Sequence, residues 1–119
     1  MTDSTLKRFL VTYQIPAAVM DGWKNTDPEV RKASETKLHG EWQAWTAKHA
    51  GMIVDANGAG KTKRVTSGGV TDTRNDIVLC ATIEAESLEA AAEVFKQHPH
   101  LQIPQAFIDI MYVRPMTDW

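Results

Sequence analysis

The run from Ile77 to Glu84 constrains the fold more than any other stretch of the chain. It alternates, with Ile77, Leu79, Ala81 and Ile83 toward one side and Val78, Cys80, Thr82 and Glu84 toward the other, the period of a strand with one fully apolar face. Only Ala85 and Glu86 separate it from Ser87, a residue suited to a helix N-cap. Behind Ser87 the residues Leu88, Ala91, Ala92 and Phe95 recur at i, i+3, i+4 and i+7, the stripe of an amphipathic helix. An apolar strand face and an apolar helix stripe joined by so short a connection are expected to cover one another. Pro99 is expected to end the helix.

The remaining segments repeat that theme. Lys7 to Ile15 alternates as a strand, with Phe9, Val11, Tyr13 and Ile15 on one face and Leu10, Thr12 and Gln14 among those on the other. Pro16 ends it, and Pro16 to Met20 suggests a short helical turn broken by Asp21-Gly22. Asp27-Pro28-Glu29 offers an N-cap, a first-turn proline and an acid at the positive end of the dipole, so a long helix is expected from Pro28 to about Ala50. Its buried stripe is read as Val30, Ser34, Leu38, Trp42, Trp45 and His49, and Gly40 within it suggests a kink or a close backbone approach. Met52 to Ala56 reads as a strand before a turn at Asn57–Gly60, and Lys61 to Thr66 as weakly strand-like. Val70 to Asp76 reads as a loop or a poorly formed edge strand, and Phe107 to Val113 as a last strand.

Strand, helix, strand, strand, helix, strand is the order of a ferredoxin-like α+β sandwich, with both helices on one face of an antiparallel sheet. One domain is expected over residues 1–119, with a core from about 7 to 115 and short polar tails. Phe9, Val11, Tyr13, Ile77, Leu79, Ala81, Ile83, Ile108 and Ile110 should face the helices. The opposite face, with Leu10, Thr12, Gln14, Val78, Cys80, Thr82, Asp109, Met111 and Val113, is too apolar for open water and too polar for a dry core. A second copy packed there would close two sheets into a barrel, so a homodimer is expected.

Charge and composition exclude several classes. Thirteen basic residues stand against fifteen acidic ones, with no block of Lys or Arg to track a phosphate backbone, so nucleic acid is not an expected partner. No apolar run is long enough to span a bilayer, and Met1 to Thr5 lacks the apolar core of a secretory signal, so a cytoplasmic protein without membrane attachment is expected. Cys80 alone makes neither an internal disulfide nor a cysteine zinc site, and is read as a buried inert thiol. Gly58-Ala59-Gly60-Lys61-Thr62 has the ending of a phosphate-binding P-loop, but Asp55 stands where that pattern needs glycine and no helix-forming run follows. A polar hairpin is the expected alternative.

The residues that carry chemistry gather around His98-Pro99-His100. Spacing of two would turn both rings one way in an extended segment. A metal would need a third ligand, such as His39 or Asp55, brought in from elsewhere; no full ligand set is visible, and neither metal nor cofactor is expected. His98 also continues the helix stripe three residues beyond Phe95, so packing and general acid–base work both remain open. His39 flanks the long-helix stripe, which allows either a half-buried or a surface ring. Trp42 and Trp45 could stack on an aromatic ligand or fill the core.

Taken together, Phe9 to Tyr13, the helix ending in Ala50-Gly51, Val70-Thr71-Asp72, Ile83 to Ala91, His98-Pro99 and Val113-Arg114-Pro115 resemble, in their order along most of the chain, the YCII-related or DGPF-type small proteins of the dimeric α-β barrel superfamily. The resemblance implies a ferredoxin-like protomer, a dimer and a pocket for a small molecule. It also implies a catalytic pair in some relatives, a His on the first helix and an Asp after the second. His39 matches the first position, whereas His98 stands at the second, and Thr73-Arg74-Asn75 replaces the Gly-Pro-Phe expected after Asp72. On this reading His39 and His98 would move protons, His100 or Asp72 would orient one of them, and Thr12, Gln14, Trp42 and Asp109 would line the pocket. The competing class is a non-catalytic dimeric module that binds a ligand and uses its histidines structurally.

Overall fold

A computed structural model describes residues 6–118; Met1 to Thr5 and Trp119 lie outside it. Strands β1 (Lys7–Gln14), β2 (Ile53–Gly58), β5 (Ile77–Ala85) and β6 (Phe107–Val113) form one sheet in the order β2-β5-β1-β6, with every neighbouring pair antiparallel. Strands β3 (Thr62–Thr66) and β4 (Gly69–Thr73) form a separate two-stranded hairpin. Helices α1 (Ala17–Lys24), α2 (Pro28–Lys48) and α3 (Leu88–Phe95) complete the chain with a 3-10 turn at Pro99–Gln102. Setting the hairpin and α1 aside, this is the ferredoxin-like β-α-β-β-α-β topology with its central pair made by the first and third strands of the main sheet.

The expected caps are in place. Asp27 accepts a hydrogen bond from the Glu29 N–H at 2.9 Å, and Ser87 Oγ accepts from the Ala90 N–H at 3.0 Å. The core lies between the sheet and the helices: Phe9, Val11, Tyr13, Ala81 and Ile83 are buried with Trp45, Ala91 and Phe95. In the register, Phe9 sits between Ile83 and Tyr112, and Val11 between Ala81 and Ile110, so each row of the sheet presents one apolar layer to the helices.

Several local expectations are corrected. Asp21-Gly22 does not stop α1, which runs on to Lys24, because Arg74 clamps both carboxylate oxygens of Asp21 at 2.9 and 3.3 Å and also donates to the Ala17 carbonyl. Residues Asn57 and Gly58 extend β2 instead of turning, since Asn57 pairs with Cys80 and Gly58 with Leu79. The polar stretch after Gly69 is a paired strand as far as Thr73, and α3 ends at Phe95, with Pro99 opening the 3-10 turn. On α3 the buried line runs through Ala91 and Phe95 with Val94 beside it, while Leu88 is 41% exposed and Ala92 is exposed. The first half of α2 overhangs the sheet, leaving Val30 and Ser34 exposed, and nothing approaches within 4 Å of where a Gly40 Cβ would stand. A register shift between Tyr13 and Gln14 sets Gln14 against Ile77; as a consequence Val78, not Ile77, packs on the core cluster. Cys80 is half-buried on the open face instead of enclosed.

Candidate functional site

Three features meet where β1 ends. The first is the histidine turn. Pro99 fixes the backbone between His98 and His100, and the 3-10 turn it opens carries both rings inward, to 2% and 1% exposure. His98 stacks on Phe95 with ring centroids 5.8 Å apart and planes 4° from parallel, and meets Trp42 and Trp45 at 4.3 Å each. Tyr13 closes the group from the sheet, 5.1 Å from His98 and 5.4 Å from His100. Packing, one of the two roles open to His98, is thus plain in the geometry, and Trp42 and Trp45 belong to the same cage.

Electrostatics follow from that enclosure. Burial pushes the His98 imidazole down to about 4, with the neighbouring His100 and His49 acting in the same direction. Burial also lowers His100, against hydrogen bonding to the main chain of Gln14 and Phe107. The Tyr13 phenol is pushed up to about 12 by burial. His98 Nδ1 accepts from the His100 N–H at 3.0 Å, and His100 Nε2 lies 3.0 Å from the Gln14 carbonyl, to which it donates. His98 Nε2 and Trp45 Nε1 are buried without a hydrogen-bond partner among the described residues.

Gln14 carries the second feature. Its main-chain oxygen holds His100, while its side-chain Nε2 donates to Thr12 Oγ1 and to Asp109 Oδ2, both at 3.0 Å, on the opposite face of the sheet. Thr12 and Asp109 are cross-strand partners, so the ladder itself brings them together. Three of the four residues expected to line a pocket therefore form one network, on the open face and not in the cage with Trp42. The remaining candidates lie apart. His39 is exposed on α2, and Asp72 is exposed on β4, where it pairs with Lys63 across the hairpin. Among the described residues no three His, Cys, Asp or Glu side chains are grouped to hold a metal ion, and no helix is long and apolar enough to cross a membrane.

The third feature was not anticipated from the chain. Helix α1 and the overhanging half of α2 flank an open cavity of about 510 Å³ above the end of β1. Ile15, Val19, Met20, Trp23 and Leu38 make most of its apolar wall, and Ile103, three residues past His100, makes part of its floor. The polar part of its lining is Thr26, Ser34, Glu35, Lys37 and Gln102, the last donating to Glu41 Oε2 at 3.3 Å. Val19, Met20 and Trp23 recur at helical spacing after Pro16, a signal masked in the sequence by the expected break at Asp21-Gly22.

No family model and no curated protein matches the chain. Among solved structures, the chain is similar to 5-chloro-2-hydroxyhydroquinone dehydrochlorinase from Burkholderia phenoliruptrix, solved in complex with 2,5-dihydroxybenzoquinone, at 15% identity over 86% of this chain and 90% of that one with a TM-score of 0.43. It is also similar to a Bacillus cereus protein described as an antibiotic biosynthesis monooxygenase, at 13% identity over 92% of each chain with a TM-score of 0.26.

Proposed function

We propose that this chain is a YCII-related, dimeric small-molecule-binding module whose ligand occupies the cavity between α1 and α2. The observation that carries the reading is the cavity itself: about 510 Å³, within the range of organic ligand sites, with a mainly apolar wall and a polar share made by Thr26, Ser34, Glu35, Lys37 and Gln102. Of the two classes open at the level of sequence, the geometry favours the non-catalytic one. A histidine acid–base pair needs its members to reach one reacting group within about 3 Å. His39 is exposed on the helix surface, His98 and His100 are enclosed with their ring nitrogens turned to the main chain or the cage, and none of the three lines the cavity. The histidines then act as structure, fixing the turn that forms the cavity floor.

A neutral aromatic probe, 1-naphthalenemethanol, titrated calorimetrically into the protein tests the reading. Saturable binding is expected, and Leu38→Lys, which sets a charge in the wall, should weaken it by about tenfold or more, the effect of losing one well-buried apolar contact. An unchanged melting temperature in the variant would show that the fold is kept. Absence of saturable binding in the parent protein, or equal binding by the variant, would remove the cavity as a ligand site.

A further inference from the structure

A second cavity, of about 390 Å³, lies on the other side of α1, between that helix and the segment joining β2 to the hairpin. Ile15 and Met20 line both cavities, so the two adjoin at these side chains. Their chemistry differs. The first is mainly apolar, its charged lining residues Glu35 and Lys37 being of opposite sign, whereas the second is walled by Lys24, Lys61 and Arg74 with the hydroxyl-bearing Thr62 and Thr73. Lys61 belongs to the Gly58–Thr62 stretch whose sequence imitates a P-loop; here it leads directly into β3, and no helix follows it.

The charge balance around this second cavity leaves cations free. Arg74 is engaged by Asp21, with Asp76 also near it, and the Asp76 carboxylate accepts from the Ala17 N–H at 3.2 Å. Asn75 donates to Thr62, which in turn donates to the Gly60 carbonyl. Lys24 is near enough to the Asp21 carboxylate to help hold it ionised, but Lys24, Lys61 and the Thr73 hydroxyl have no side-chain hydrogen bond or ion pair among the described residues. Two ammonium groups and a hydroxyl facing one cavity suit a carboxylate or phosphate.

We infer that the two cavities form one bipartite site for an amphiphilic organic anion, its apolar body between α1 and α2 and its acidic group between Lys24 and Lys61, with Met20 as the flexible partition between them. This rests on the first cavity being a ligand site and names the ligand class it takes. A thioether side chain with three rotatable bonds can swing aside without breaking a rigid wall, which is what a ligand spanning both chambers requires.

Two probes that share a body and differ in charge separate the parts of this claim. 1-Naphthoate should bind more tightly than 1-naphthalenemethanol by about fivefold or more, the contribution of two partly exposed ion pairs, and the gap should shrink as salt is raised. In a Lys24→Gln, Lys61→Gln variant, whose substitutions lie on exposed positions, remove both charges and keep a polar, unbranched stem one atom shorter, the gap between the probes should close. Equal affinity for both probes in the parent protein, or a gap that persists in the double variant, overturns the anionic assignment while leaving the apolar site standing. Failure of both probes to bind overturns the site and this inference together.

Discussion

The proton on a neutral His98 has one place to be. Nδ1 accepts the His100 N–H, so the ring carries its hydrogen on Nε2, which points into a cage of Trp42, Trp45 and Phe95 with no acceptor among the described residues. A weak contact with an aromatic face is the most that such a donor gains there, and adding a second proton would place an unpaired charge in the same cage. The folded protein therefore holds this imidazole near 4, well below the usual 6.5 of an unfolded chain. With the folded value depressed, the unfolded state takes up the proton first. Stability is complete above about pH 6.5 and falls as the pH drops toward 4, by about 3 kcal/mol for this residue alone. His98→Phe keeps the ring stack, removes that titration and leaves the His100 N–H without its acceptor, at about 1–3 kcal/mol. Urea titrations at pH 7 and pH 4.5 should show the variant less stable than the parent at pH 7 and much less sensitive to acid. Parallel losses in both proteins would mean that His98 does not carry the acid sensitivity.

Gly40 makes the comparable argument at the level of a helix. It lies in the exposed part of α2, with ordinary helical neighbours on either side and open space where a Cβ would be. Neither a kink nor a close approach requires it. Gly40→Ala should stabilise the protein by about 0.5–1 kcal/mol, because alanine narrows the unfolded ensemble and favours the helix. A rise of a few degrees in melting temperature would register it, and a fall would mean that α2 bends or packs there in solution. Elements of this kind were largely legible in the chain. The alternation of Phe9 to Tyr13 and of Leu79 to Ile83, the caps at Asp27 and Ser87 and the strand order follow from local periodicity and from the burial of one face. What was not legible depends on distant partners. Helix α1 outlasts Asp21-Gly22 through a guanidinium 53 residues away, and without that helix the Val19, Met20 and Trp23 wall has no meaning. The His98-Pro99-His100 turn was visible as a place of interest, but its inward orientation is set by Tyr13 on β1 and Trp42 on α2, which no spacing within the turn encodes.

On the scale of the whole molecule, the protomer is a slab. Its extents are 52 × 45 × 19 Å and its radius of gyration is 16.7 Å, against about 13.5 Å for a compact chain of this length. One sheet with helices on a single side accounts for the thinness, and it leaves the second sheet face uncovered. That face carries Leu10, Met111 and Phe107 around the Thr12–Gln14–Asp109 network; Met111 is 42% exposed and Phe107 39%. Self-association through this face would bury the apolar residues, while the network pairs Gln14 Nε2 with Thr12 and one Asp109 oxygen within one protomer and leaves Gln14 Oε1 and Asp109 Oδ1 to be met by water or by the facing copy. We therefore expect a homodimer of about twice 13.3 kDa at micromolar concentration by sedimentation. Met111→Lys tests the face itself. In an isolated protomer the new ammonium would stand in water at little cost, so the fold should be kept, but in a dimer it would be driven into an apolar contact with its copy close by. The variant should sediment at 13.3 kDa with an unchanged circular dichroism spectrum. A parent protein that stays monomeric would remove the barrel. A variant that remains dimeric would move the interface to another surface, such as the overhanging half of α2 with its exposed Val30.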